Sequence, residues 1–352
     1  MPSNFAQRPS FLFASLFSIL IVGFLGYCNS LEVPFLFDDM NNIVSEQNIQ
    51  TLDLKKIWDG NTLRSVTVFT FALNYRWGRL SPFGFHLFNL LIHLGCAIMV
   101  FLLVRLLLTA PFSSPRSSPE KSDVSTFIPL FAALLFVSHP IQTQAVTYVV
   151  QRAASLATFF YVSALYFYLA GRLSWNKDKR KSGACFFFVS VCTLFAFFTK
   201  EISATLPFAL FAVEFFFLGW PDRKNVLRLA MAFFFPLFAL LSALWLFKRP
   251  IFMAIFQRVF EGIPQIRTSH YLLTQCNVIG TYLRMLLVPI GQNLDYDYPI
   301  AQTLWEMPTL LSFSFLVALW VWGGWLWRKN RLASFAIFFF FLALSEIGRA
   351  HV

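Results

Sequence analysis

The sequence predicts an all-α, polytopic integral membrane protein, and three observations carry that prediction. Apolar residues make up 57% of the chain and charged residues only 13%, where a soluble domain carries about a quarter charged residues. Apolar runs recur at 11–27, 85–108, 127–139, 153–171, 184–199, 202–219, 227–247 and 307–327, with a fragment from 332. A crossing helix needs ~20 residues, so these runs give about nine spans. Lys and Arg crowd into the short loops on one side of the runs, the pattern that sets cytoplasmic orientation.

The first run, Phe11 to Tyr27, follows a weak basic region holding Arg8 and precedes no small-residue cleavage site. It reads as an uncleaved span. The loop after it, Cys28 to Pro82, falls outside the cytoplasm and holds Asp38, Asp39, Asp53, Asp59, Arg64 and Arg76. Adjacent acids beside a bilayer are usually retained for function or to pair with a cation. The plainer reading of Asp38-Asp39 is a turn or a helix cap.

Span 85–108 carries His86, Asn89 and His93 at i, i+3 and i+7, one face looking into the bundle. Interhelical hydrogen bonding explains that stripe better than catalysis. Pro111 to Ser125 is Pro/Ser-rich and reads as a flexible cytoplasmic linker. His139-Pro140 ends the third span. Gln144, Tyr148 and Arg152 follow at i, i+4 and i+8, a polar stripe on a helix entering span 153–171. Lys200-Glu201 sits in the turn before span 202–219, which contains Glu214.

Basic residues at 172–181, 223–228 and 328–331 share the side of Arg8 and Arg105. Parity then holds Lys248 to Glu306 on the outer side, so the apolar stretch 271–290 does not cross. Its Thr274, Asn277, Thr281 and Arg284 form one polar stripe, with Leu272, Leu273, Ile279, Leu283 and Leu286 opposite. That pattern predicts an interfacial amphipathic helix, with Asp295 and Asp297 just beyond it. Residues 1–345 form one transmembrane domain. One back-translation of the tail 346–352, GAG-ATC-GGA-AGA-GCA-CAC-GTC, matches a common sequencing-library adapter. The tail is therefore expected to be an artefact, with the true protein continuing past Ser345.

Five scattered Cys, without zinc-ligand spacing, argue against a disulfide framework. The formal charge of +11 reflects topology and contact with anionic membrane lipids, not nucleic acid.

The outer face thus gathers Asp38, Asp39, Arg64, His139, Arg152, Lys200, Glu201, Arg284, Asp295 and Asp297. Such a set suits group transfer from a lipid-linked phosphate donor to an acceptor hydroxyl. A carboxylate deprotonates an acceptor hydroxyl, and Arg and Lys hold the leaving phosphate. Asp38 or Asp39 is the candidate base, with Arg64, Arg152 and Lys200 around the phosphate. His139, Glu201, Arg284, Asp295 and Asp297 line the site. Adjacent side chains diverge, so one acid serves as base while the other orients it, binds a cation or caps the turn. No metal site is assigned, but a second reading has Asp295 and Asp297 ligate a divalent cation together with Asp38 or Asp39.

Several stretches resemble the N-terminal half of the TMTC family, the transmembrane and tetratricopeptide-repeat O-mannosyltransferases, and their bacterial relatives. They are Phe37-Asp38-Asp39 with Ile43, Val66 to Tyr75, Phe85 to His93, His139 to Tyr161, Thr199-Lys200-Glu201 with Thr205-Leu206-Pro207, and Gln292 to Asp297. The resemblance implies a GT-C-like bundle, a polyprenyl-phosphate-linked sugar donor and an extracytoplasmic acidic pair as catalytic centre. It also implies a protein or cell-envelope glycan acceptor, a bacterial plasma (inner) membrane location facing the periplasm or exterior, and a C-terminal tetratricopeptide array. Two positions depart from the family pattern. Gln144 stands where relatives tend to have Glu, and Arg64-Ser65 where they carry Arg-Pro. Other readings of the residues are a transporter with polar pathways and a non-catalytic membrane scaffold for repeats.

Overall fold

A computed structural model describes residues 9–60, 62–112, 123–219, 268–294, 296 and 298–345. The predicted span 227–247, Asp295, Asp297, most of the linker 111–125 and the tail 346–352 lie outside the described residues. Among the described residues every regular element is a helix, and there is no strand. Among the described residues, six helices are long and apolar enough to cross a membrane: Pro9–Ser30, Pro82–Leu107, Val149–Ser174, Lys179–Phe197, Glu201–Leu218 and Met307–Leu326. A seventh crossing forms if the bent pair Phe127–Ser138 and Pro140–Thr147 is one span. The last apolar helix, Arg331–Leu344, is shorter. All five Cys are free thiols.

The chain divides into two compact units, residues 1–206 and 207–352. In the first, α1 (Pro9–Tyr27), α5 (Pro82–Leu107), α6 (Asp123–Ser138), α8 (Arg152–Ser174) and α9 (Lys179–Phe197) form the bundle. Short helices α2 (Gln47–Thr51), α3 (Leu54–Gly60) and α4 (Ser65–Gly78) cover one end, and α7 (Thr143–Thr147) joins α6 to α8.

Lipid tails are as apolar as leucine, so helices in a bilayer associate through close packing. Ile19 and Tyr27 of α1 pack with Leu90, Leu94, Ala97 and Phe101 of α5 and with Ala133 and Val137 of α6. Gly23 allows that approach, because a Cβ there would overlap Leu94 and Val137. The end layer has its own core of Ile43, Ile49, Ile57, Val68, Phe71, Phe85 and Val149.

The third span ends at His139-Pro140 as expected, but the helix expected under Gln144, Tyr148 and Arg152 is itself broken. The chain bends by 50° at His139. Pro140 lacks an N–H and keeps the residue before it extended, and His139 indeed has ψ 126. The break in the expected helix falls at Tyr148, also extended, after which α8 begins at Arg152. There the Val150 amide donates to Asp39 Oδ1 at 2.7 Å instead of to its own helix. Tertiary partners have taken hydrogen bonds that a continuous helix would use.

In the second unit, α10 (Leu206–Val213) runs into a π-helical turn at Glu214–Leu218. Then come α11 (Thr268–Leu287), α12 (Met307–Leu326) and α13 (Arg331–Leu344). The amphipathic pattern of α11 was legible, but most of its polar stripe is spent on protein partners, and only Arg284 stays exposed. Thr274 accepts from the Ala301 amide at 3.0 Å, Asn277 donates to Thr309 at 3.0 Å, and Thr281 hydrogen-bonds Tyr298. Arg284 caps the Ile290 carbonyl at 3.1 Å. The stripe therefore ties α11 to α12 and the segment between them, while Leu272, Leu286 and Leu287 remain exposed.

Within the first unit, the segments 28–81, 139–151 and 198–205 collect at one end, bonded to each other across the bundle. Segment 172–181 joins α8 to α9 at the opposite end. Single cysteines at the exposed Asn41 and Asn176, in a background lacking the native Cys, should therefore label from opposite sides. In intact cells an impermeant reagent should modify position 41 and spare 176. Equal labelling would show that the two ends do not straddle a membrane.

Candidate active site

The acidic pair is split by a single backbone turn. Phe37 adopts φ 45, a left-handed conformation that is unfavourable for a bulky residue. The turn is held by Asp39 N–H donating to the Leu36 carbonyl at 2.9 Å and Met40 N–H to Phe37 at 3.1 Å. In consequence the two carboxylates point apart.

Asp39 turns inward and is 1% exposed. Its Oδ2 accepts from the Leu36 amide at 3.2 Å and its Oδ1 from the Val150 amide at 2.7 Å. The charges of His86 and Arg152 lie near enough to act on it. Burial pushes its carboxyl up from the ordinary range, and the amide bonds from Leu36 and Val150 oppose that shift. Asp39 thus fills the turn-holding role. Asp38 is exposed. Its amide donates to the Tyr148 hydroxyl at 2.9 Å, and its carbonyl accepts from Asn42 Nδ2 at 2.9 Å. Leu36, Phe37 and Met40 form an exposed apolar rim beside it.

Arg152 is 0% exposed. Its Nε donates to Asn89 Oδ1 at 2.7 Å, one terminal nitrogen to Thr70 Oγ1 at 3.3 Å and the other to the Phe85 carbonyl at 2.9 Å. The guanidinium carbon lies 4.4 Å from the Phe71 ring centre and 4.7 Å from that of Phe88. The sequence expectation of a donor-phosphate ligand meets a side chain walled off by protein, with its donors engaged. A partially exposed Arg was expected because nothing in the spacing revealed the partners Thr70, Asn89 and Phe85. The one signal was the His/Asn stripe of α5, which needed partners. His86 bonds the Val33 carbonyl at 2.9 Å, His93 the Val137 carbonyl at 3.1 Å, and Asn89 the carbonyls of Val146 and Val149. Interhelical bonding is what that stripe does.

A second patch lies around the 198–201 turn. Arg64 pairs with Glu201 at 3.4 Å, both partly exposed. Val66 N–H donates to the Phe198 carbonyl at 3.1 Å, Thr67 to that of Thr199 at 3.2 Å, and Trp58 packs on Phe198 at 4.9 Å. Lys200 is half-buried beside them. The structure thus joins Arg64, Lys200 and Glu201, and separately Asp38, Asp39 and Tyr148, over the shared layer of Ile43, Val68, Phe71 and Val149. His139 caps the turn after it, its Nδ1 accepting from the Ile141 amide at 3.2 Å. Arg284 belongs to the second unit. Among the described residues no three His, Cys, Asp or Glu side chains are grouped to hold a metal ion.

Fold and site define an all-α polytopic membrane protein with a polar layer at one end of its bundle. Within that class, the chain is similar to proteins named O-mannosyl-transferases. It is 32% identical over 192 residues to Protein O-mannosyl-transferase TMTC3 of Mus musculus, covering 50% of this chain and 18% of that protein. With TMTC4 of Homo sapiens the identity is 28% over 201 residues, 52% of this chain and 27% of the relative. A longer match, 23% over 317 residues, relates 84% of the chain to 41% of Protein O-mannosyl-transferase F38B6.6 of Caenorhabditis elegans. The chain therefore spans less than half the length of these relatives. No family model and no solved structure matches it.

Two stability predictions follow from the buried charges. Arg152→Ala strands Asn89, Thr70 and the Phe85 carbonyl, and breaking a buried charged contact costs about 3–5 kcal/mol. Arg152→Lys should not restore it, because one ammonium cannot reproduce the three-way fork. Thermal unfolding of both variants checks this, and wild-type melting of either would refute it. For Asp39, the folded protein keeps its proton to higher pH than the unfolded chain. Its contribution to stability is therefore greatest at acid pH and declines as pH rises from ~3.9 toward the raised value. Asp39→Asn should abolish that decline. It should also cost about 1–3 kcal/mol, since an amide leaves one of the two N–H groups facing another donor.

Proposed function

We propose that this chain is the membrane part of a TMTC-like glycosyltransferase, bacterial in type, that moves a sugar from a polyprenyl-phosphate donor to an acceptor hydroxyl. The observation that carries the reading is the split acidic pair. One carboxylate is locked in the interior, and its neighbour is held exposed beside an apolar rim, at the bundle end that also carries Arg64 and Lys200. The similarity to proteins named O-mannosyl-transferases supports the reaction class. The sequence distribution of Lys and Arg supports an extracytoplasmic site, periplasmic or exterior, on a plasma membrane.

In this reading Asp38 is the general base. The acceptor hydroxyl oxygen bonds to the anomeric carbon of the sugar as Asp38 takes its proton. The bond between that carbon and the phosphate oxygen breaks, and the lipid phosphate leaves with the electron pair. Arg64 and Lys200 balance the charge that develops on the phosphate. Glu201 holds Arg64 until the donor arrives, since an exposed ion pair is worth little and exchanges readily. Arg152 is assigned to architecture, not to the donor. Membrane lipids surround the bundle, and the acceptor is a protein or envelope glycan.

A positioned base contributes ~10²–10⁴-fold in rate. Asp38→Asn in the full chain should lose that much sugar transfer from a polyprenyl-phosphate-linked sugar. Its melting temperature and donor affinity should stay at wild-type values. Transfer at the wild-type rate by this variant would remove Asp38 from the chemistry.

A further inference from the structure

The Tyr148 hydroxyl is not used by the reaction above, and its geometry gives it a role. Tyr148 sits at the extended break between α7 and α8 and is 9% exposed. Its hydroxyl oxygen accepts from the Asp38 amide at 2.9 Å. That bond holds the main chain of Asp38, from which its carboxylate projects. We propose that Tyr148 is the positioning residue for Asp38, anchoring its backbone where the first loop enters the π-helical turn Met40–Val44. This inference rests on the assignment of Asp38 as the base.

Three features make the arrangement more than an incidental contact. First, the two residues are far apart in sequence and come from different elements, a loop and a helix break. The contact therefore fixes the first loop to the bundle at the site itself. Second, Asp39, the adjoining residue, binds the Val150 amide two positions after Tyr148. Two consecutive residues of one loop thus grip one break, and rotation of the turn would break both bonds. Third, burial pushes the Tyr148 hydroxyl up from its ordinary range. It stays protonated at neutral pH, and its oxygen accepts from the Asp38 amide. Asn42 holds the Asp38 carbonyl, so the Tyr148 bond to the amide is the one that ties this residue to the bundle.

Tyr148→Phe keeps the ring and removes the hydroxyl alone. A misplacement of a reacting group can cost ~10²-fold, so kcat for sugar transfer should fall roughly 10–100-fold while KM for the polyprenyl-phosphate-linked sugar stays unchanged. A group that acts only through Asp38 has nothing left to position in Asp38→Asn. The double variant should therefore transfer at the rate of Asp38→Asn alone. Independently of activity, hydrogen exchange of the Asp38 amide should quicken in Tyr148→Phe, read on peptides covering residues 36–42. Exchange in α5 should not change, which separates a local release from unfolding. Wild-type exchange at 36–42 would overturn the inference, as would an equal further loss in the Asp38→Asn background. If Asp38→Asn itself transfers normally, the base assignment fails, while the exchange result still decides whether Tyr148 holds the loop.

Discussion

The buried guanidinium of Arg152 is the constraint on which the rest of the first unit depends. It stands at the first residue of α8, where the helix dipole disfavours a cation. A charge placed there, with no exposed surface, must be compensated on every side. The chain supplies three acceptors from α4 and α5, two aromatic faces, and the negative charge of Asp39 nearby. Asp39 serves both needs at once. Its charge offsets Arg152, and its oxygen takes the Val150 amide just before α8, where an anion is favoured. The loop that carries Asp39 is thereby fixed to the bundle, and the position of Asp38 follows from it.

This coupling explains how a site can be exact at a membrane boundary. Loops there lack the packing that stiffens the bundle. The first loop compensates with a small core of its own, built on Ile43, Ile49 and Ile57. It also sends one side chain deep enough to bond the interior. On the proposed reading, the exposed Leu36, Phe37 and Met40 give the lipid part of a donor something apolar to lie against. Arg64 and Lys200 meet its phosphate.

Much of this was legible in the sequence. Periodicity and length located every described span to within a few residues, because the bilayer leaves helices little choice. The α5 stripe of His86, Asn89 and His93 declared its interhelical role, since polar groups in a membrane interior must find partners. The breaks at His139 and Tyr148 were partly hidden. Pro140 announces the first, but the second is caused by Asp39, more than a hundred residues away in sequence. Arg152 was misleading for the same reason. A basic residue at the head of a span usually snorkels to headgroups, and only the three-dimensional meeting of Thr70, Asn89 and Phe85 turns it inward. The stripe on α11 shows the converse: amphipathic spacing gave the right helix and the wrong partner, because Thr309 and Ala301 replace water.

The adjacency of the two carboxylates is itself a physical device. A lone acid on a flexible loop would sample many orientations, and rigid burial would stop it reaching a substrate. Placing the exposed acid next to a buried one resolves the conflict. The peptide bond between them transmits the position of Asp39 without transmitting its burial. The left-handed Phe37 then turns the pair so that the exposed side chain leaves the bundle where the buried one enters. A bulky residue in that conformation costs of order 1–3 kcal/mol and persists only where surrounding contacts over-determine it. Here the Leu36 and Val150 amides on one side and the Tyr148 hydroxyl on the other supply those contacts. The strain is concentrated at the residue before the candidate base, where an altered backbone would redirect both acids together.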